Sequence, residues 1–181
     1  MNDNQKGFPS DNDWLRVTEK PIENDIEWFN NFKFITPAVM VDGDLELKLE
    51  ETCPYNPEKG HVPEYKFAMV HTTSQAIMGR VRLRVGLIKN LNNFGGHVGY
   101  EVAQPYQGNH YAARSCRLLF PLIQKLGINP VVITCAPENL PSVKTIESLG
   151  ARLAATKDVE IKSGTLQLRN IYYLYFEENK S

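Results

Sequence analysis

The stretch GHVGYEVAQPYQGNHYAARSCRLLFPLIQKLG, residues 96–127, contains three consecutive patterns that decide the fold. Apolar and polar residues alternate over residues 97–103, which predicts a strand with one buried face. Residues 104–109 concentrate turn formers. Apolar residues then recur at helical spacing up to Gly127, a glycine suited to cap the end of a helix; the recurring positions are Ala112, Cys116, Leu119 and Ile123. The sequence therefore predicts a strand that enters a helix through a short polar turn.

Such a turn leaves free backbone N–H groups at the positive end of the helix dipole, which favours phosphate binding. Gly108 lies inside the turn, and its lack of a side chain lets an anion approach the backbone. An ordinary strand-to-helix turn in an unrelated α/β domain is the alternative interpretation.

These residues resemble the acetyl-CoA loop of the GNAT acetyltransferases, the GCN5-related N-acetyltransferase superfamily, whose pattern is [Q/R]-x-x-G-x-[G/A]. Gln107 fills the first position and Ala112 the last, whereas His110 replaces the central glycine. Asn139 and Ser142, followed by a Leu-Gly pair at 149–150, resemble the second signature of the family, N-x-x-[A/S] and later [L/N]-G. The similarity runs in order through residues 66–176 and is strongest to a bacterial branch of predicted acetyltransferases.

The resemblance implies an α+β fold. A mixed, mostly antiparallel twisted sheet would contain a central parallel strand pair that splays at the acetyl-CoA site, with helices on both faces. Residues 14–181 would form one acetyltransferase domain, preceded by a polar tail at residues 1–13 that we expect to be disordered.

The implied activity is acetyl transfer from acetyl-CoA, the co-substrate, to a primary amine of a small molecule or protein by direct attack on the thioester. A non-catalytic acyl-CoA-binding sensor domain is the alternative. The resemblance assigns the pyrophosphate to the loop. It assigns the pantetheine arm to the end of the strand and to the start of the later helix predicted over 141–149. The loop residues are Gln107, Gly108, Asn109, His110, Tyr111 and Ala112, and the arm would contact Val102, Ala103, Asn139 and Ser142. Asn139 is equally suited to cap the helix that follows it.

Proton transfer is the step for which the sequence offers the fewest groups. Glu101 on the central strand is the first candidate base, and His97 and His71 are weaker candidates. The tyrosine that many family members use as an acid corresponds to Ile146, so that acid is absent. A thiolate with a pKa near about 8.5 is a fair leaving group without it.

Composition excludes several classes of partner. The chain has 181 residues, 42% of them hydrophobic and 23% charged, with a net charge of −1, which favours neither nucleic acid nor an anionic membrane. Its three cysteines lack metal-ligand spacing, and no bound metal is expected. No apolar run has the length of a membrane span, so we expect a cytoplasmic protein. It would be a monomer or a homodimer, with the aromatic run at residues 172–176 in the core or at a dimer contact.

The remaining segments suggest strands at residues 64–71, 76–87, 130–136, 152–161 and 166–176, and helices after Pro21 and over 141–149. The first helix is predicted to bury a wide face that includes Ile26, Trp28 and Phe29. Residues 35–63 are predicted to be a long irregular loop, and we hypothesise that it covers the acceptor pocket. Arginines alternate along residues 80–84, so they line a solvated face or one of them binds an anionic group of the acceptor.

Overall fold

The structure is a computed structural model and describes residues 22–86, 95–162 and 164–177, with the side chains of 22–25 and 160–162 outside this set. The predicted tail at 1–13 therefore lies outside the described residues. The first half of the chain contains helix α1 (Ile22–Asn30) and an antiparallel sheet in the order β1-β2-β3-β4-β5. Its strands are β1 (Met40–Asp42), β2 (Leu45–Cys53), β3 (Glu64–His71), β4 (Ile77–Arg84) and β5 (Val98–Val102).

The second half packs two helices with a smaller antiparallel sheet. After a 3₁₀ turn (Gln104–Tyr106) come α2 (Tyr111–Lys125), β6 (Val131–Cys135), α3 (Leu140–Ser148), β7 (Arg152–Lys162) and β8 (Thr165–Leu174). The strand order of this sheet is β6-β8-β7. No helix among the described residues is both long and apolar enough to cross a bilayer.

Helix α2 lies against the first sheet and forms the centre of the core. Its Cys116, Leu119 and Ile123 are at most 1% exposed, as their helical spacing predicts. Alternation along β4 sends Val81 and Leu83 to the same core and the three arginines to the other face. Gly127 follows the end of α2 with φ +70°, the left-handed conformation expected of a helix-terminating glycine.

Strands β5 and β6 run side by side but belong to different sheets. They touch where both begin: the N–H of His97 donates to the carbonyl of Val132 (2.7 Å), and the N–H of Val132 donates to Nδ1 of His97 (2.9 Å). Beyond this contact, the strand pairings of the described residues join β5 to β4 and β6 to β8, each on its far side. The predicted α+β class with a splayed central strand pair is confirmed.

Several predicted elements match closely. The strand at 64–71 is correct to the residue, and the predicted helices and the final hairpin are within two residues of α2, α3, β7 and β8. Three of the five residues at 172–176, Tyr172, Tyr173 and Leu174, are buried, so the core interpretation holds for them.

Two predictions are wrong. Much of the expected irregular loop at 35–63 is the β1–β2 hairpin, because Leu45 and Leu47 point into the core while β2 bonds along β3. Among the described side chains of α1, residues 26–30, only Phe29 is buried, at 4% exposure, whereas Ile26 and Trp28 are 38% and 47% exposed. Ile26 and Trp28 are therefore not part of the buried face that the sequence predicts.

Candidate functional site

The loop between β5 and α2 contains two residues with a left-handed backbone conformation. Gly108 has φ +81°, and a Cβ built on it would meet no heavy atom within 4 Å. His110 precedes α2 with φ +60° and ψ +16°, a left-handed conformation that histidine tolerates better than most residues. The position at which the family pattern has glycine thus keeps the backbone shape that glycine would favour.

The loop and the first turn of α2 contain a row of backbone N–H groups that precede the helical hydrogen-bond ladder. The N–H of Arg114 donates to the carbonyl of His110 (3.0 Å), which begins the helical ladder. Within the described part of the chain, the six amides from 108 to 113 donate to no protein group. They lie at the positive end of a helix of 15 residues, where the dipole adds to their attraction for an anion.

Side chains of the loop hold its shape. Nδ2 of Asn109 donates to the carbonyls of Tyr106 (3.2 Å) and Gln107 (3.3 Å). Nε2 of Gln107 donates to the carbonyl of Val102 (3.0 Å). Gln107, which we expected to bind a phosphate oxygen, therefore ties the loop back to the end of β5.

The open edge of β5 begins at Val102. The N–H of Ala103 donates to the carbonyl of Met78 on β4 (2.8 Å), so this amide is already paired and is not a free donor for the pantetheine arm. Because N–H groups alternate in direction along a strand, the N–H of Val102 points away from β4 and into the gap beside β6.

A cavity of about 750 Å³ joins the loop, the open edge and α3. Most of the predicted site residues line it together, but His97, Ala103 and Asn109 do not. Its walls come from β5 (Tyr100, Glu101, Val102), from the loop and first turn of α2 (Tyr106, Gln107, Gly108, His110, Tyr111, Ala112, Ala113) and from the start and exposed side of α3 (Asn139, Leu140, Pro141, Ser142, Lys144, Thr145, Ser148).

The α3 wall combines a helix cap with a polar stripe. Oδ1 of Asn139 accepts from the N–H of Ser142 (3.3 Å), so the capping role is the one observed. Ser142, Thr145 and Ser148 follow at intervals of three residues and line the cavity on one side of the helix. The motif analysis missed Thr145 and Ser148, although this spacing was available to indicate them.

Tyr100 was also missed as a site residue. Its hydroxyl donates to the carbonyl of Ser142 (3.4 Å), and burial raises the pKa of Tyr100 well above its ordinary value. Tyr100 therefore remains a neutral hydroxyl at the point where β5 faces α3. The sequence alternation had suggested only a buried strand residue.

His97 is not available as a base, so that prediction is wrong. Its side chain is 6% exposed, and Nδ1 accepts the N–H of Val132. The lone pair that would take a proton is thus already occupied. Burial, and then the nearby Arg84, lowers the pKa of His97 to about 3.

Of the other candidates for proton transfer, only Glu101 lies in the cavity. Its carboxylate is solvent-exposed, and it lies opposite Arg80 in the β4–β5 register. His71 does not line the cavity; its Nδ1 accepts from the N–H of Ser74 (3.2 Å), and its Nε2 lies 4.0 Å from a carboxylate oxygen of Asp44. Ile146 is fully buried in the core.

An acidic turn between β1 and β2 holds the first turn of α2 from outside. Nε of Arg114 lies 2.6 Å from Oδ2 of Asp42, and its NH1 lies 2.8 Å from Oδ1 of Asp44. The hydroxyl of Tyr111 donates to Oδ2 of Asp44, and this hydrogen bond, followed by the one from Arg114, lowers the pKa of Asp44. The segment 35–63, which we expected to cover the acceptor pocket, thus contacts the first turn of α2. None of its residues lines the cavity.

Comparison with known proteins places this geometry in a family. The sequence model described as "Acetyltransferase (GNAT) domain" matches residues 12–152. The "Uncharacterized N-acetyltransferase YnaD" of Bacillus subtilis (strain 168) is 22% identical over 170 residues, which are 92% of this chain and 89% of that protein.

Solved structures show the same fold. The structure described as RimL, ribosomal L7/L12 alpha-N-protein acetyltransferase, superposes with a TM-score of 0.57 at 16% identity, over 77% of this chain and 94% of that one. The Microcin C7 self immunity acetyltransferase MccE, solved in complex with acetyl-CoA and AMP, gives 0.50 at 23% identity, over 62% of this chain and 61% of that one.

The family match covers most of the sequence, and the fold with its parted central strands agrees with it. These findings favour an enzyme that uses acetyl-CoA over a non-catalytic sensor. The chain belongs to the GNAT acetyltransferases and is an acetyltransferase.

Proposed function

We propose that this protein transfers the acetyl group of acetyl-CoA to a primary amine by direct attack of the amine on the thioester. The observation that carries the proposal is the row of six unpaired amides at 108–113 beside the open edge of β5. The first feature suits a pyrophosphate and the second an extended arm that pairs with a strand edge.

The loop would hold the cofactor end of the donor. Amides from Gly108 to Ala113 would supply the donors for a pyrophosphate, and Gly108 leaves room for its close approach. His110 adds an exposed ring at the same place. Asn139, whose Oδ1 is used in capping, retains its Nδ2 as a donor toward the arm.

Charge that develops on the thioester oxygen would be stabilised by the N–H of Val102. The N–H of Val102 points into the gap, and the carbonyl of the same residue accepts a hydrogen bond from Nε2 of Gln107. A backbone donor whose position is set by a strand and a side chain needs little reorganisation when the oxygen becomes negative.

Glu101 would accept the proton of the attacking ammonium or amine, directly or through water, since it is the one carboxylate among the described cavity residues. The departing thiolate needs no dedicated acid, because its pKa of roughly 8.5 makes it a fair leaving group. Much of the acceleration would come from holding the amine and thioester together.

The name of one structural neighbour supports an amine acceptor. RimL is described as acting on an alpha-amino group of a ribosomal protein. MccE is described as a self-immunity acetyltransferase. We propose a primary amine as the shared chemistry.

The test measures release of free CoA thiol from acetyl-CoA with a panel of amines. We expect release above the hydrolysis background, and in Glu101→Gln a fall in kcat of about 100-fold with KM for acetyl-CoA within twofold. Glu147→Gln, an exposed glutamate of α3 that does not line the cavity, is the control and should behave as wild type.

Binding without turnover would identify a sensor and contradict the proposal. Binding itself is read by thermal unfolding: CoA at a hundredfold its Kd should add about 2.7 kcal/mol to the free energy of unfolding. A protein that shows no shift with CoA would exclude both the enzyme and the sensor.

A further inference from the structure

A second cavity, of about 280 Å³, lies on the other side of the gap between β5 and β6. It shares Tyr100, Asn139 and Ser142 with the larger cavity, so the two meet at the start of α3. Its remaining described lining residues are Arg84, Gly95, Val98, Gly99, Thr134, Cys135 and Arg169.

Strand alternation places the Arg84 end of this cavity on the sheet face opposite α2. Leu83 is in the core against α2, so Arg84, the next residue on β4, points the other way. A Cβ built on Gly99 would lie 3.8 Å from NH1 of Arg84, which puts the guanidinium over that face of β5. An amine in this cavity would reach the thioester through the gap, from the side that the donor does not occupy.

The cavity is lined by cationic groups. Arg84 and Arg169 both line it, and none of its described lining residues is acidic. Two guanidinium groups at one small cavity attract an anion and disfavour a cationic polyamine.

Arg84 is held in place yet keeps donors for a ligand. Its Nε lies 3.2 Å from Oε2 of Glu64, and its NH1 donates to the carbonyls of Gly95 (3.1 Å) and Gly96 (3.3 Å). Its NH2 makes no hydrogen bond within the described part of the chain. The side chain is 18% exposed, and burial lowers the pKa of Arg84, so a further anion would relieve part of its desolvation cost.

We infer that the acceptor is a small amine that also bears a carboxylate, an amino acid or a close analogue, whose carboxylate binds Arg84 and whose amine points through the gap toward Val102. This inference rests on the proposed function. The volume of about 280 Å³ accommodates one amino acid. The hydroxyls of Tyr100 and Ser142 lie where the two cavities meet and would flank the amine.

The first experiment compares matched acceptors at saturating acetyl-CoA. Glycine, β-alanine, γ-aminobutyrate and the twenty proteinogenic amino acids are each assayed beside the corresponding carboxamide. For the preferred amino acid we expect kcat/KM at least tenfold above that of its carboxamide, because the charge-assisted hydrogen bond from NH2 of Arg84 to the carboxylate is lost in the amide.

Variants then assign the preference to Arg84. Since Arg84→Gln alone would leave Glu64 unpaired, the test uses the double variant Arg84→Gln/Glu64→Gln, in which acid and amide should differ less than twofold while KM for acetyl-CoA is unchanged. Arg82→Gln is the matched control, because Arg82 lies on the same face of β4 but does not line the cavity. It should keep the full preference.

Binding provides a readout that does not depend on turnover. Calorimetry with the CoA-loaded protein should show N-acetylglycine binding at least tenfold more tightly than N-acetylglycinamide, with the difference lost in the double variant. Equal binding or turnover of acid and amide, or an equal loss in Arg82→Gln and the double variant, would overturn the inference. Turnover of amines without this preference would overturn the inference and leave the proposed function intact. Absence of any CoA release would count against the proposed function, and calorimetry would then decide the acceptor class.

Discussion

The two ends of the β5–β6 pair contrast sharply. At the closed end, His97 bonds Val132 twice, once through its backbone and once through its imidazole. At the open end, Val102 points its N–H into a gap, and its carbonyl is held by a side chain of the loop rather than by a strand. The closed end pairs the N–H groups of His97 and Val132 within the protein, and the open end keeps a donor for a ligand.

The difference shows how one pair of strands can be joined at one end and open to a ligand at the other. A side-chain nitrogen at the closed end takes the place of a backbone carbonyl, so the pairing stops after a single contact. The strands then diverge, and their facing edges become walls of the two cavities. Substitutions at the closed end should therefore lower the free energy of unfolding. Substitutions at the open end should lower the affinity for the ligand.

The largest effect is expected from His97→Ala. It leaves the buried N–H of Val132 without an acceptor and opens a void, which together cost about 3 kcal/mol in free energy of unfolding. Chemical denaturation measures this loss. His97→Gln, whose amide oxygen can accept the same N–H, should lose markedly less; a similar loss in both would mean that packing, and not the hydrogen bond, joins the strands.

The closed end should also respond to pH. The pKa of His97 is about 3 in the folded protein against 6.5 for the free side chain, so between these values the unfolded chain binds more protons. This stabilising contribution is complete above pH 6.5 and is lost as pH falls toward 3, by roughly 2 to 3 kcal/mol between pH 7.5 and 4.5. Denaturation curves of wild type and His97→Gln should diverge over that range; parallel pH profiles would contradict the assignment.

At the open end, Gly108→Glu places bulk and negative charge beside the free amides. We expect CoA affinity to fall about 30-fold, which corresponds to roughly 2 kcal/mol. Gly127→Glu is a matched control, since Gly127 also has positive φ and open space around it but lies at the far end of α2. Both variants carry similar backbone strain, so only the first should lose affinity by calorimetry; equal losses would exclude our placement of the phosphates.

The smallest effect is expected where the acidic turn braces α2. Arg114→Gln leaves Asp42 and Asp44 without their cation near the loop, and CoA affinity should weaken roughly threefold to fivefold. In an Asp42→Asn/Asp44→Asn background the same change should have little effect, because the partners are already neutral. Identical effects in both backgrounds would show that the ion pairs do not position the loop.

Local patterns in the sequence predicted much of the fold. The alternation and turn chemistry around residues 96–127 identified β5, the loop and α2, and His110 adopts the left-handed backbone that its place in the motif demands. These features are decided within about thirty consecutive residues, where periodicity and capping act directly.

The features that the sequence did not predict depend on distant partners. Leu45 and Leu47 are strand residues because β2 bonds to β3, and the charges between them suited a helix equally well. His97 looked like a possible base until its imidazole was seen against Val132, 35 residues away. The second cavity combines β4, β5, β6 and β8, so no single stretch of sequence contains its pattern of charge.

Gly96, just before β5, sets the closed end through close contact. A Cβ there would lie 2.5 Å from the carbonyl oxygen of Val132, so any side chain would force the strands to pivot. Val102 is six residues further on, roughly 20 Å along the strand. A small rotation of β5 at Gly96 would therefore displace Val102 by a larger distance. Gly96 lines neither cavity, yet it controls the width of the passage between them. We expect natural sequence differences that change this width to occur near residues 96, 97 and 132.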